Sequence, residues 1–195
     1  MLMAVFCLGA SLIGINAQEK DWANLQRYAQ QNAELPKPDK NEKRVVFMGN
    51  SITEGWVNTH PDFFKSNGYI GRGIGGQTSY QFLVRFWEDV INLSPALVVI
   101  NAATNDIAEN TGAYHEDRTF GNIVSMVELA KANHIKVILT TTLPAAAFGW
   151  NPAIKDAPQK IASLNARLKA YAQTNKIPFV DYYSSMVSGS NKALN

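Results

Sequence analysis

The sequence predicts an α/β fold in which a mostly parallel, five-stranded sheet is covered by helices on both faces. The first observation is a set of short apolar runs, several rich in β-branched residues, of the kind that form buried parallel strands. The second is a set of helical segments of roughly 15 residues between those runs. Strands that alternate with helices form parallel sheets, and here the alternation continues from residue 45 to residue 180.

The predicted elements follow one another along the chain after one N-terminal helix. Strands are predicted at residues 45–48, 69–74, 95–100, 135–141 and 178–180. Helices are predicted at residues 78–92, 118–133 and 157–174. The N-terminal helix is predicted over residues 21–35, where apolar residues recur at spacings of three and four: Trp22, Leu25, Tyr28, Ala29 and Ala33. Pro36 and Pro38 end that helix and lead into the first strand.

Length and composition are those of an ordinary globular domain. The chain has 195 residues, of which 46% are hydrophobic and 17% are charged. The formal net charge is only +2 and the basic residues are scattered, so neither nucleic acid nor an anionic membrane is expected as a partner. Because no apolar stretch of 18 residues follows residue 20, stable insertion into a membrane is not expected for the body of the chain.

Residues 1–17 resemble a secretory signal peptide and so predict a secreted or periplasmic protein. The segment from Met1 to Ile15 is almost continuously apolar, and polar residues follow Ala17. No positive charge precedes the apolar core, and Ile15 is bulky for its place before the cleavage point, so a buried N-terminal helix is the alternative. The only cysteine, Cys7, lies in this segment, and its removal would leave no disulfide or thiolate metal site.

Small or polar residues follow each predicted strand. Ser51 follows the first strand, Gly75 and Gly76 follow the second, and Asn105 follows the third. Because the carboxyl ends of parallel strands share one edge of the sheet, these groups can meet there. Acyl transfer needs such a set, a nucleophile with hydrogen-bond donors aimed at the developing oxyanion. The alternatives are that Ser51 is an N-cap and that Asn105 is a turn residue bonded to its own backbone.

The run Gly71-Arg72-Gly73-Ile74-Gly75-Gly76 has the glycine spacing of a dinucleotide-binding fingerprint but not its context. It does not follow the first strand, and Glu88 and Asp89 come too early to bind a ribose. No phosphate-binding lysine follows either. We therefore expect glycine here because the backbone approaches a ligand and offers a bare N–H group.

Three segments together carry a family resemblance. Gly49-Asn50-Ser51-Ile52-Thr53 resembles a nucleophile block, with Asn50 in place of the commoner aspartate. Gly73-Ile74-Gly75-Gly76-Gln77-Thr78-Ser79 resembles a glycine block, and Ala103-Thr104-Asn105-Asp106 resembles an asparagine block with Ala103 where glycine is usual. In their order and separation the blocks are similar to those of the SGNH hydrolases, also called GDSL-type esterases and lipases. The resemblance covers residues 44–183 and implies a three-layer, flavodoxin-like sandwich and serine esterase chemistry without metal or cofactor.

The resemblance also assigns roles to single residues. Ser51 would be the nucleophile, and its own backbone N–H would join the oxyanion hole. Gly76 would add a second backbone N–H, and Asn105 would add a side-chain amide. Asp106 is expected to brace its loop, and Thr53 is expected to cap the helix or turn that follows the nucleophile.

The fourth block of the family, Asp-x-x-His, has no counterpart, because no histidine follows His134 and Asp181 only ends the last strand. We therefore expect a C-terminally truncated, nearly inactive form, divided into a signal peptide (1–17), an N-terminal helix and linker (18–43), and an incomplete hydrolase domain (44–195). His134 is expected at the opposite edge of the sheet, and His115 in an exposed loop. His60 is the weak alternative as the catalytic base, because it follows the nucleophile block and is expected at the same edge of the sheet.

The expected substrate is a small acyl ester, and the first choice is an acetyl group on a carbohydrate. Secreted members of the family that resemble this chain often act on such groups, and Ala145-Ala146-Ala147 beside Trp150 suit a shallow pocket. Trp56 and Trp150 could stack on a sugar ring or simply pack. The alternatives are a short-chain lipase or lysophospholipase, a non-catalytic module that binds an acylated glycan, and, least favoured, a flavodoxin-type cofactor binder.

Overall fold

The computed structural model describes residues 21–190 and 192–194. The predicted signal peptide therefore lies outside the described residues. The centre of the described part is a five-stranded parallel sheet with the order β2-β1-β3-β4-β5. Its strands are β1 (Val45–Gly49), β2 (Tyr69–Gly73), β3 (Leu97–Ile100), β4 (Lys136–Thr140) and β5 (Phe179–Val180).

Helices connect and cover these strands. They are α1 (Ala29–Glu34), α2 (Ser51–Thr59), α3 (Pro61–Ser66), α4 (Ser79–Asp89), α5 (Thr104–Ile107), α6 (Glu116–Ala132), α7 (Ala157–Thr174) and α8 (Tyr182–Met186). Short 3-10 helices lie at Leu25–Arg27 and Ile91–Leu93. A small antiparallel pair, β6 (Val187–Ser188) and β7 (Ala193–Leu194), follows α8.

The core lies on both faces of the sheet. On one face, α4, α6 and α7 bury apolar side chains such as Phe82, Met126 and Leu164 completely. On the other face, Phe47 of β1 contacts the rings of Trp56 in α2 and Phe64 in α3. The three-layer α/β sandwich predicted from the sequence is therefore confirmed, and each predicted strand lies within two residues of its expected bounds.

The predicted N-terminal helix is wrong in extent. A 3-10 turn at Leu25–Arg27 precedes α1, which begins only at Ala29. The carboxylate of Asp21 accepts the backbone N–H groups of Leu25 and Gln26 at 2.8 and 3.0 Å, and this local bonding competes with a regular helix. Tyr28 turns into the protein while Trp22 stays half exposed, so the apolar residues do not share one helical face.

None of the helices in the described part of the chain has both the length and the apolar character that crossing a membrane would require.

Candidate active site

Ser51 is the first residue of α2 and lies at the carboxyl end of the central strand β1. The cap of this helix is Asn50, whose Oδ1 accepts the backbone N–H of Ile52 at 3.0 Å. The side chain of Ser51 is exposed and makes no hydrogen bond with any described residue. The N-cap alternative for Ser51 is therefore wrong, and so is the cap predicted at Thr53, because Thr53 lies inside the first turn of α2.

Glycines let the first turn of α2 lie directly against the strand ends. A Cβ atom on Gly73 would overlap the backbone nitrogen of Glu54, and one on Gly49 would overlap the side chain of Thr53. At Gly71 a Cβ atom would overlap Val57 on the same helix. Two of the glycines that imitate a dinucleotide fingerprint thus make room for a helix, so the expected reason for them, approach of the backbone to a ligand, is wrong for Gly71 and Gly73.

The segment that begins at the last residue of β2, here called the glycine loop (residues 73–77), lies beside Ser51. A Cβ atom on Gly75 would lie 3.8 Å from the Cβ of Ser51. The N–H of Gly75 donates to Oε2 of Glu54 at 2.8 Å, and Gly76 has a φ of +76°. Within the described residues the backbone N–H groups of Gly76 and Ser51 make no hydrogen bond, so both remain available to an oxyanion.

Asn105 reaches the glycine loop from the other side. It lies in α5, is 3% exposed, and its Nδ2 donates to the carbonyl oxygen of Gln77 at 2.9 Å. This bond crosses to another element, so the turn-residue alternative is wrong. An asparagine amide has two N–H bonds, and the second makes no hydrogen bond to any described residue, so it can serve a ligand. Ala103 before α5 has a φ of +83°, a left-handed conformation that favours glycine and explains why glycine is usual in the matching block.

Asp106 braces the loop, as expected. Its carboxylate accepts the backbone N–H of Ser79 at 2.9 Å, the hydroxyl of Ser79, and the hydroxyl of Thr119 at 3.1 Å. These bonds join α5 to the start of α4 and to α6. Burial raises the pKa of Asp106 above its ordinary value of 3.8, and the three hydrogen bonds oppose that effect.

A buried arginine that was not among the predicted site residues stabilises the strand ends. Arg85 is fully buried, and its guanidinium donates to the carbonyl oxygens of Gly49 and Arg72 at 3.0 and 2.9 Å. It also donates to Oε1 of Gln77 at 2.6 Å and pairs with Asp89 at 2.7 Å. The signal was available, because Arg85 lies on the apolar face of α4 with an acidic residue four positions later. Burial lowers the pKa of Arg85, and the charge of Asp89 opposes that effect.

The chain has three histidines, and none of them makes a hydrogen bond to Ser51. His60 follows the last residue of α2, so nine helical residues separate it from Ser51 by about 13 Å, and it lies toward the opposite edge of the sheet. The expectation that His60 lies at the edge of the nucleophile is therefore wrong. His134 lies beside Lys136 and Pro178 at the amino ends of β4 and β5, and His115 is exposed at the start of α6.

Trp150 stands at the rim of this site. It is 62% exposed, and its Nε1 donates to Oδ1 of Asn110 at 2.9 Å. The same amide group of Asn110 donates through Nδ2 to the carbonyl oxygen of Gly76 at 2.9 Å. Trp56, in contrast, packs on aromatic rings, including Phe63 at a centroid distance of 5.2 Å.

An apolar cavity of about 300 Å³ lies beside the first turn of α2. Its walls come from the sheet, from α2 and from α8, and they are formed by Phe47, Met48, Ile52, Thr53, Trp56, Val99, Asn101, Leu143, Tyr182 and Met186. Ile52 and Thr53 follow Ser51 along the chain, but Ser51 itself is not one of the lining residues.

The fold and sequence are similar to those of solved hydrolase structures. A Bacteroides fragilis protein that is named an acylhydrolase is 99% identical, with a TM-score of 0.90 over 91% of this chain and 85% of that chain. A GDSL-like lipase from Bacteroides thetaiotaomicron is 77% identical, with a TM-score of 0.88 over 89% of this chain and 84% of that chain. An acetyl xylan esterase shares the fold at 22% identity, with a TM-score of 0.58 over 73% of this chain and 78% of that chain.

A curated relative and a family model complete the comparison. The uncharacterised lipoprotein YqeF of Bacillus subtilis is 32% identical over 51% of this chain, and the chain spans 48% of that relative's length. The model of the GDSL-like Lipase/Acylhydrolase family matches residues 47–194, and the chain therefore belongs to this family of ester hydrolases.

Proposed function

We propose that the protein is a serine esterase that hydrolyses small acyl esters, with Ser51 as its nucleophile. One observation carries this proposal. The amide of Asn105 is held at Gln77, next to the N–H of Gly76, while the hydroxyl of Ser51 lies beside Gly75; neither that N–H nor that hydroxyl bonds to a described residue. A nucleophile next to three convergent donors is the arrangement that acyl transfer requires.

The chemistry follows from this arrangement. The Oγ of Ser51 forms a bond to the carbonyl carbon of the ester, and the carbonyl oxygen becomes an oxyanion held by the N–H groups of Ser51, Gly76 and Asn105. The proton of the serine passes to a base. Collapse of the intermediate breaks the bond to the alcohol, which leaves with a proton, and water then hydrolyses the acyl-serine to release the acid.

The base is the missing part of the proposal. The family resemblance implies an Asp-x-x-His block as its source, and the 195 residues contain no histidine after His134. Removing one member of a catalytic triad lowers the rate by several orders of magnitude, and an oxyanion hole alone retains a small remnant. The 195-residue chain is therefore proposed to turn over esters slowly, and a form extended through such a block is proposed to be fast.

The proposed substrate is an acetylated carbohydrate outside the cytoplasm. The exposed indole of Trp150, fixed through Asn110 beside Gly76, supports this choice because a sugar ring can stack on an aromatic face. A short-chain lipase or lysophospholipase is the second candidate. The apolar cavity next to Ile52 favours it, because a short acyl chain could enter there.

The test compares the wild type with Ser51→Ala, and uses His60→Ala as the control. Covalent labelling of Ser51 by a fluorophosphonate, followed by mass spectrometry, detects the nucleophile even when turnover is slow. We expect slow labelling and slow release of p-nitrophenol from p-nitrophenyl acetate by the wild type and by His60→Ala, and neither by Ser51→Ala. Equal hydrolysis by Ser51→Ala would refute the esterase proposal.

A second measurement separates the substrates. We expect the extended form to release acetate from acetylated xylo-oligosaccharides faster than it releases fatty acid from lysophosphatidylcholine. The opposite order would favour the lipase candidate. Saturable binding of the acetylated oligosaccharide by an extended form that shows no turnover would instead favour the non-catalytic module.

A further inference from the structure

The segment that precedes the family-matched region lies against the glycine loop. Residues 22–28, here called the N-terminal segment, come before residue 47, where the match to the family model begins. The hydrogen bonds of this segment nevertheless reach the loop that offers the N–H of Gly76. Each of these contacts joins it to the loop itself or to a helix that begins beside the loop.

Tyr28 fixes the base of the glycine loop. Its side chain is 7% exposed, and its hydroxyl donates to the carbonyl oxygen of Gly73. The guanidinium of Arg72 lies over its ring, 4.6 Å from the centroid. Burial raises the pKa of Tyr28, so its hydroxyl stays protonated and continues to donate.

Two glutamines bind the backbone of the N-terminal segment. The Nε2 of Gln77 donates to the carbonyl oxygen of Ala23 at 2.7 Å, and Ala23 is buried. The Nε2 of Gln81 donates to the carbonyl oxygen of Trp22 at 2.8 Å. Gln77 is also the residue whose own carbonyl oxygen accepts the amide of Asn105. Gln77 thus links the N-terminal segment to Asn105, the side-chain donor of the proposed oxyanion hole.

Arg27 acts on the middle of the loop through a carboxylate. It pairs with Oε1 of Glu54 at 3.0 Å, and Oε2 of Glu54 accepts the N–H of Gly75 at 2.8 Å. The charge of Arg27 therefore helps to orient the carboxylate that holds Gly75. Gly75 directly precedes Gly76. If the carboxylate of Glu54 moved, the backbone at Gly75 would shift and the N–H of Gly76 would change direction.

We infer that the N-terminal segment is a clamp that positions the glycine loop for oxyanion binding, with Tyr28 and Arg27 as positioning residues. The inference rests on the proposed esterase function for its catalytic consequence. Donors stabilise an oxyanion only when they are already aimed at its position, and a loop of glycines is too mobile to stay aimed by itself. The clamp supplies that rigidity from outside the family-matched region.

The experiment uses the 195-residue chain with single substitutions. Tyr28→Phe removes the hydroxyl and keeps the ring, Arg27→Gln removes the charge, and Arg27→Lys restores it. Tyr171→Phe and Arg167→Gln are the matched controls. The hydroxyl of Tyr171 makes no hydrogen bond among the described residues, and Arg167 pairs with Asp117 on the surface.

Two readouts are measured for each variant. Hydrogen–deuterium exchange reports the order of residues 73–77 directly. Labelling of Ser51 by a fluorophosphonate at several concentrations separates the rate of the covalent step from the reversible affinity, and the covalent step is the one that develops oxyanion charge.

We expect faster exchange in the glycine loop and an about fivefold slower covalent step for Tyr28→Phe and Arg27→Gln. The reversible affinity should change by less than about twofold, and Arg27→Lys should recover most of the rate. Unchanged loop exchange in Tyr28→Phe and Arg27→Gln would overturn the clamp, as would an equal effect of the controls. If the wild type is not labelled at Ser51 at all, the esterase proposal fails, and loop exchange alone decides about the clamp.

Discussion

At the residue scale, one side chain links two loops that are far apart in sequence. The amide of Asn105 donates one of its two N–H groups to the carbonyl oxygen of Gln77, and the other makes no hydrogen bond to a described residue. That single hydrogen bond decides where the free N–H points relative to Gly76 and Ser51. The positive φ of Ala103 also contributes to the position of Asn105, because it turns the chain from β3 into α5.

Asn105→Ala should lower kcat for p-nitrophenyl acetate in the extended form by about 10²–10³-fold, because one oxyanion donor is removed. KM should change little, since the donor acts mainly on charge that develops in the transition state. Asn151→Ala is the matched control: its amide also donates to a backbone carbonyl, that of Ala108, at 2.9 Å. An unchanged kcat in Asn105→Ala would remove Asn105 from the proposed oxyanion hole.

At the scale of elements, the site depends on how closely α2 lies against the end of β2. Gly73 has no room for a side chain, because the backbone of Asn50, Thr53 and Glu54 occupies the space. This contact places Ser51, at the start of α2, beside the glycine loop that follows β2. The N-cap bond of Asn50 then fixes where α2 begins.

Gly73→Ala should lower the free energy of unfolding by about 3 kcal/mol, because a rigid backbone must move to admit the methyl group. The matched control lies on the same helix. Gly55 has no atom within 4 Å of its potential Cβ, so Gly55→Ala should raise the free energy of unfolding by about 0.5–1 kcal/mol. Urea denaturation followed by circular dichroism measures both values. Equal effects of the two substitutions would contradict the close packing of α2 on β2.

At the scale of the whole molecule, the strand order 2-1-3-4-5 decides where chemistry can occur. The chain moves from β1 to β2 on one side and then to β3 on the other, so the loops after β1 and β3 diverge and leave a crevice. Ser51 and Asn105 follow those two strands. The helices on the side of α4 are held together near this crevice by Asp106, which joins three of them.

The stability of the molecule should depend on pH through Asp106. Burial raises the pKa of Asp106 above 3.8, so the folded state binds the proton more tightly than the unfolded state. The resulting stabilisation is fully present below the unfolded pKa and is lost as the pH rises through the folded pKa. The free energy of unfolding of the wild type, relative to Asp106→Asn, should therefore fall as the pH rises from below 3.8 through the raised pKa of Asp106. A difference between the two proteins that does not change with pH would contradict the raised pKa.

The sequence by itself determined the α/β class, the five strands and the order in which Ser51, Gly76 and Asn105 arrive at one edge of the sheet. It could do so because apolar runs, helical periods and strand-end residues are local patterns. In a parallel sheet, residues that follow the strands also lie at one edge, so their place in the chain predicts their place in the fold. Only the tertiary structure decided the extent of the N-terminal helix, the burial of Arg85 and the bonds of Tyr28 and Arg27 to the glycine loop. The bonds of Tyr28 and Arg27 to the glycine loop join elements that are distant in sequence, such as Tyr28 and Gly73, and no local pattern encodes such a partner.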